Sequence, residues 1–282
     1  MNMILVVTLL LLVLFLVLAL AQMRRKYLGL KESLEQGKLS MYDQLQTAEE
    51  DKTRLKRQLT QNVSHELKTP VSGIQGYLET IVSSPDMPQE TKDDFLRKAY
   101  VQSQRLSALL QDISTLNKLD DAPLSFERQV VNVRELLESI KNEASRRMEE
   151  RQAKFLVLVA PDVNVYGNPS LLYSIFRNLT DNALAYAGED VTITAQVILE
   201  EETSYTFSFA DNGMGVAPEH LPRLFERFYR IDKGRSRRMG GTGLGLAIVK
   251  NAVLLHHGNI SVRLAQTGGL EFIFTLPKQD LG

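Results

Sequence analysis

His65 lies in the run Asn62-Val63-Ser64-His65-Glu66-Leu67-Lys68-Thr69-Pro70. An imidazole with one free nitrogen is a nucleophile near neutral pH, and Glu66 could hold the other nitrogen. Thr69 stands one helical turn further on, on the same face. Pro70 removes an intrahelical hydrogen bond beside them. Alone, a histidine between Ser and Glu is also an ordinary solvated residue. Asn178 and Asn182 form an i, i+4 pair, with Tyr186 one turn beyond. Carboxamides can ligate a hard cation such as Mg²⁺ and donate to phosphate oxygens. Two plain surface asparagines are the competing reading. Asp211-Asn212-Gly213-Met214-Gly215 follows an apolar run. A carboxylate at a strand end can accept from an exocyclic amine, and the glycines let a flat base approach. By itself the segment is a turn. Gly241-Thr242-Gly243-Leu244-Gly245-Leu246 runs into an apolar helix, where backbone amides suit phosphate. Its spacing matches neither the dinucleotide fingerprint nor the Walker loop. The stretch from Asp232 to Met239, with Lys233, Arg235, Arg237 and Arg238, reads as a solvated basic loop or as a lid over a polyphosphate. Arg230, just before it, could reach a terminal phosphate.

These residues need elements to position them. Ile4 to Ala21 is an uncharged, apolar run followed by Arg24, Arg25 and Lys26. At about 1.5 Å per residue it just spans a hydrocarbon core of roughly 30 Å. Cations on that side predict a membrane anchor over 1–23 with everything later in the cytoplasm. A cleaved leader ending near Ala19-Leu20-Ala21 is the alternative, but its front end lacks a basic residue. Only three residues precede the run, so the input is expected through the membrane, the following helix or a separate sensor protein. Leu34, Met41, Ala48 and Leu55 recur every seven residues, which predicts a coiled-coil-like helix over 24–54.

A stripe of Leu55, Leu59, Val63, Leu67, Ile74, Leu78 and Ile81 predicts the next helix, and Ser83 to Pro88 breaks it. Phe95, Val101, Leu106, Leu109, Leu110, Ile113 and Leu116 mark the return helix. A lone hairpin over 55–121 cannot bury its apolar faces, whereas two copies can as a four-helix bundle, so a homodimer is expected. Beyond Asp120-Asp121-Ala122-Pro123 the texture becomes mixed α/β over 127–279. Strand-like runs lie at 129–133, 155–159, 191–199, 205–209, 258–264 and 270–276, with helix-like runs at 134–151, 169–187 and 243–256. That pattern predicts a sheet covered by helices. Asn168 and Pro169 have the types that open a helix.

The bulk numbers remove other classes. The 282 residues carry a net charge of −1, which does not suggest a nucleic-acid binder. With no cysteine, disulfides and thiolate chemistry are excluded. No ligand set resembles a zinc site. His220 reads as part of a surface turn, and His256 and His257 as cations at a helix C-terminus.

In this order the segments closely resemble the sensor histidine kinases of bacterial two-component systems. His65 to Pro70 looks like that family's H-box, Asn178 to Asn182 its N-box and Asp211 to Gly215 its first glycine box. Leu224 to Arg230 resembles its F-box, and Gly241 to Leu246 its second glycine box. The resemblance implies a dimeric helical hairpin and a two-layer α/β ATP-binding domain of the Bergerat type. It implies that ATP phosphorylates His65, that Glu66 activates the imidazole, and that Asn178 binds Mg²⁺ while Asn182 contacts phosphate. It also implies that Asp211 recognises adenine beside Tyr186, and that Gly213, Gly215, Gly241, Thr242, Gly243, Leu244, Gly245 and Leu246 form the nucleotide loops. A response regulator would receive the phosphoryl group, and Thr69 would assist its later removal. One departure is Ala185, where many relatives place a phosphate-binding lysine.

Overall fold

The computed structural model describes residues 2–121, 127–232 and 241–279, without the side chains of 2–14 and of a scattered set up to 59. Two compact units result, Met1–Gln61 and Asn62–Gly282. The first is helical throughout its described residues and belongs to α1 (Asn2–Ser83). Among the described residues no helix is long and apolar enough to cross a membrane. Most side chains of the Ile4–Ala21 run lie outside the described residues, as do Leu34, Ala48 and Leu55 of the seven-residue pattern.

In the second unit α1 ends at Ser83, where the Ser-Pro-rich break stands, and α2 (Gln89–Asp121) returns. Pro70 is buried inside α1. One face of α2 carries Leu109, Leu116 and Leu119, which join the same buried core as the α/β part. Burying each leucine stabilises that docking by roughly 1.5–3 kcal/mol. The hairpin leaves Leu78, Val82, Leu96, Val101 and Leu110 exposed.

The α/β part begins with β1 (Gln129–Asn132) and α3 (Val133–Arg151), followed by β2 (Lys154–Leu158) and β3 (Asn164–Gly167). Then come α4 (Pro169–Tyr186), β4 (Thr192–Glu200), β5 (Ser204–Asp211), a 3₁₀ turn at Pro218–Arg223, α5 (Gly245–Leu255), β6 (Ile260–Leu264) and β7 (Leu270–Pro277). Five strands form one sheet in the order β2-β4-β5-β7-β6. Only the β2–β4 pair is parallel. β1 and β3 pair separately and antiparallel. Alternate residues of β7 are buried, so one sheet face carries Phe272, Phe274 and Leu276 toward the helices. Phe176 of α4 packs its ring 5.9 Å from Phe207 and 5.7 Å from Phe274, which fixes α4 on the sheet. The six expected strand runs are present with shifts of one or two residues at their ends, and β3 is an addition.

Candidate functional site

α4 starts where Asn168 and Pro169 predict. The Asn168 Oδ1 accepts from the Leu171 N–H at 3.0 Å, and Pro169 occupies the first turn. The buried face of α4, including Leu172, Ile175, Phe176 and Leu179, turns Asn178, Asn182 and Tyr186 onto its half-buried flank. Asn178 donates its Nδ2 to the Ser174 carbonyl at 2.8 Å. Its Oδ1 faces the start of α5, where a Cβ on Gly245 would stand only 2.6 Å away. Any side chain there would displace the amide, so glycine is required for this approach. Gly243 is needed for a second reason: its φ is +75°, and the Phe228 backbone and Arg230 Nε crowd the place of a Cβ. The Phe228 N–H donates to the Gly243 carbonyl at 2.8 Å, tying the F-box segment to the glycine turn. Leu244 is wholly buried, so only its backbone can serve a ligand, while Leu246 and Gly241 are half-buried.

Asp211 closes β5 and is 7% exposed. It accepts from the Gly213 N–H at 2.9 Å and the Leu270 N–H at 3.3 Å. Burial pushes its carboxyl above the usual range, and the two backbone donors pull it back. The Met214 N–H donates to the Ala187 carbonyl, and Gly213 lies against Ala187, so this turn abuts the end of α4 beyond Tyr186. Gly215 holds φ +63° at the far end of the turn.

Arg230 is 5% exposed at its side chain. Its Nη2 lies 3.1 Å from Glu66 Oε2, yet neither Nη2 nor Nε makes a hydrogen bond. The ion pair is therefore close but poorly directed, and a buried guanidinium keeps donor capacity beside the glycine turn. Glu66 also lies 3.8 Å from Arg105 of α2. Its carboxylate is thus engaged by two arginines. The His65 side chain is exposed, and Thr69 donates its hydroxyl back to the His65 carbonyl at 3.3 Å.

Two residues of this region were not singled out by motif: Arg105 and Asp112. Thr242 donates its hydroxyl to Asp112 Oδ2 at 2.7 Å, across 130 positions of sequence. Burial pushes the Asp112 carboxyl up, the Thr242 hydroxyl pulls it down, and Asp181 adds to the rise. The one available signal was a carboxylate set between Leu109 and Leu116. The structure brings together Asn178, the 242–246 segment, Arg230, Glu66 and Asp112. Residues 233–240, which include Lys233, Arg235, Arg237 and Arg238, lie outside the described residues. His256 departs from its reading as a helix-end cation. It is 2% exposed, its Nδ1 donates to the Ala252 carbonyl at 2.7 Å, and its Nε2 accepts the Asn168 N–H at 2.9 Å. That requires the neutral ring, and burial lowers its pKa accordingly.

The family described as the His Kinase A (phospho-acceptor) domain matches residues 55–122, and that of the histidine kinase-, DNA gyrase B- and HSP90-like ATPases matches 167–280. The phosphate regulon sensor protein PhoR of Pseudomonas aeruginosa is 36% identical over 219 residues, which is 78% of this chain and 49% of the relative. The chain spans about half the length of such curated relatives. The solved histidine kinase AdeS of Acinetobacter baumannii aligns with a TM-score of 0.62 at 22% identity, covering 77% of this chain and 98% of that one. The histidine kinase ThkA, solved in complex with the response regulator protein TrrA, aligns with a TM-score of 0.63 at 20% identity, covering 79% and 61%. A helical phospho-acceptor hairpin followed by an α/β ATPase domain defines the class of histidine kinases. The chain belongs to the bacterial two-component sensor histidine kinases.

Proposed function

We propose that this chain transfers the γ-phosphoryl group of ATP to its own His65, and from there to an aspartate of a response regulator. The observation that carries the reading is Arg230, a buried cation with poorly directed donors beside the turn where Gly243 admits no side chain. Such a guanidinium suits an incoming polyphosphate. Asn178 fits a Mg²⁺ ion, because its Nδ2 is committed to Ser174 and its neutral Oδ1 is turned to the glycine segment. When bound, that ion supplies charge neutralisation for the polyphosphate. Asn182 and the backbone of 241–246 hold phosphate oxygens, while Asp211 accepts from the adenine amine with Tyr186, Gly213 and Gly215 around the base. The His65 lone pair forms a bond to the γ-phosphorus as the bond to the bridging oxygen breaks and ADP leaves. Once Arg230 turns toward the transferred group, the Glu66 carboxylate it releases orients the imidazole and takes its proton. Thr69 assists hydrolysis of the regulator's aspartyl phosphate, in which water takes the phosphoryl group and the carboxylate leaves.

The exposed apolar residues of the hairpin support a homodimeric four-helix bundle over 55–121. The Ile4–Ala21 run followed by three cations supports a single-pass anchor in a bacterial cytoplasmic membrane, with 24–54 as a stalk and 127–279 as the cytoplasmic ATP-binding domain. A separate sensor protein fits as the source of the signal.

Transfer is separated from hydrolysis by one residue. The hydrolytic enzymes sharing the ATP fold place a glutamate where Asn178 stands, and a carboxamide cannot act as that base. With γ-labelled ATP and Mg²⁺, the full chain is expected to retain label rather than release phosphate. Brisk phosphate release without labelled protein contradicts the reading. Ala185 favours a second reading, a weak kinase acting mainly as a phosphatase. Faster loss of phosphate from a phosphorylated regulator than gain of label on the chain identifies it.

A further inference from the structure

Arg105, Leu109, Asp112, Leu116 and Leu119 repeat at heptad spacing on the face of α2 that meets the α/β part. The three leucines are each 7% exposed or less. A carboxylate in the middle of such a stripe is costly unless it is partnered. Its partner is the Thr242 hydroxyl, which also accepts the Leu244 N–H at 3.2 Å, so the hydroxyl proton is committed to Asp112. Docking of α2 thus sets a negative charge on the segment proposed above to hold the polyphosphate. Asp181, on the N-box helix, adds a like charge felt by Asp112. The nearby cations Arg105 and Arg230 lie 3.8 and 3.1 Å from the Glu66 carboxylate.

We infer that Asp112 is an acidic latch: its contact with Thr242 makes docking of α2 on the glycine segment and binding of a nucleoside triphosphate mutually antagonistic. The inference rests on the ATP reading of that segment. In the absence of nucleotide the carboxylate is satisfied and the three leucines hold the hairpin down. A polyphosphate entering the glycine turn meets a like charge at close range in a partly desolvated site, where screening is weak. Linkage makes the effect reciprocal: nucleotide loosens α2, and a docked α2 weakens nucleotide affinity. A leucine or asparagine at this position would hold the domains together without that dependence.

Asp112→Asn keeps the shape and an acceptor for Thr242 but removes the charge. Binding of AMP-PNP with Mg²⁺ to the purified full chain, followed by calorimetry, is expected to tighten about fivefold or more in this variant. The gain should shrink as salt is raised. Hydrogen exchange supplies the second readout. In the wild type, AMP-PNP should deprotect residues 105–119, and in Asp112→Asn those residues should stay protected. Equal affinity in both proteins, with unchanged exchange, overturns the latch and leaves the ATP reading intact. Weaker binding in Asp112→Asn also overturns it, by making the carboxylate an aid to the metal-nucleotide complex. A wild type that binds no nucleotide overturns the latch and the ATP reading together.

Discussion

The two ends of α5 bury polar groups in opposite ways. At the C-terminal end the buried polar side chains among the described residues are matched. His256 donates to Ala252 and accepts from Asn168, Asn168 caps α4 and donates its Nδ2 to the Glu127 carbonyl, and Arg128 donates to the Leu255 carbonyl at 3.1 Å. At the N-terminal end Gly243 and Gly245 admit no side chain against Arg230 and Asn178, Asn178 keeps an oxygen turned toward Gly245, and Arg230 is buried with Nε and Nη2 making no hydrogen bond. The first end joins Glu127 and Arg128, α4 and α5 into one frame. The second is left incomplete by the protein alone. A satisfied buried network stabilises; a partly satisfied one costs stability and is retained where a ligand completes it.

Substitutions should therefore separate activity from stability according to the end they touch. The largest expected effect is at Asn178: Asn178→Ala should lower autophosphorylation on the order of 100-fold, as loss of a preorganised polar group does, with its thermal midpoint near that of the wild type. His256→Ala should instead lower unfolding free energy by about 2–3 kcal/mol, from a cavity plus an unpaired Asn168 N–H, measured by urea unfolding. Arg230→Met should cut phosphorylation by about tenfold while leaving stability unchanged or raised by about 1 kcal/mol, since a poorly directed buried ion pair is often replaceable by apolar volume. If Arg230→Met and His256→Ala both lose stability alike, the contrast between the two ends fails.

The smallest effect is in pH. The folded pKa of His256 lies below its unfolded value, so between the two the unfolded chain binds the extra proton. Stability should be full above about pH 6.5 and fall as pH drops through the folded value. His256→Asn should flatten that slope; an unchanged slope would assign it to other groups.

Much of this arrangement was legible from local pattern. The hairpin showed in helical stripes interrupted by Ser83 to Pro88, and α4 in its Asn168-Pro169 start. Glycines alternating at 241, 243 and 245 pointed to a helix start whose backbone amides suit phosphate, and the fold gives 243 and 245 a steric reason to be glycine. What stayed hidden depends on distant partners. β3 is four residues long, too short to show alternation, and exists through its pairing with β1. His256 looked like a dipole-complementing cation because its partner Asn168 is 88 positions away. Glu66 adjoins His65 in sequence, yet neighbouring helical residues point apart, and its carboxylate lies against Arg105 and Arg230. Asp112 had no motif to mark it, since Thr242 meets it only when the hairpin docks.

The central claim is that the incomplete end of α5 serves His65. Its most direct test is to incubate the full chain with ATP and Mg²⁺ and map the phosphorylated residue by tandem mass spectrometry at alkaline pH. The account predicts an acid-labile phosphoryl group on the peptide carrying His65, absent in His65→Gln although that variant still binds ATP. A phosphoryl group on another residue, or one that persists in His65→Gln, would contradict it.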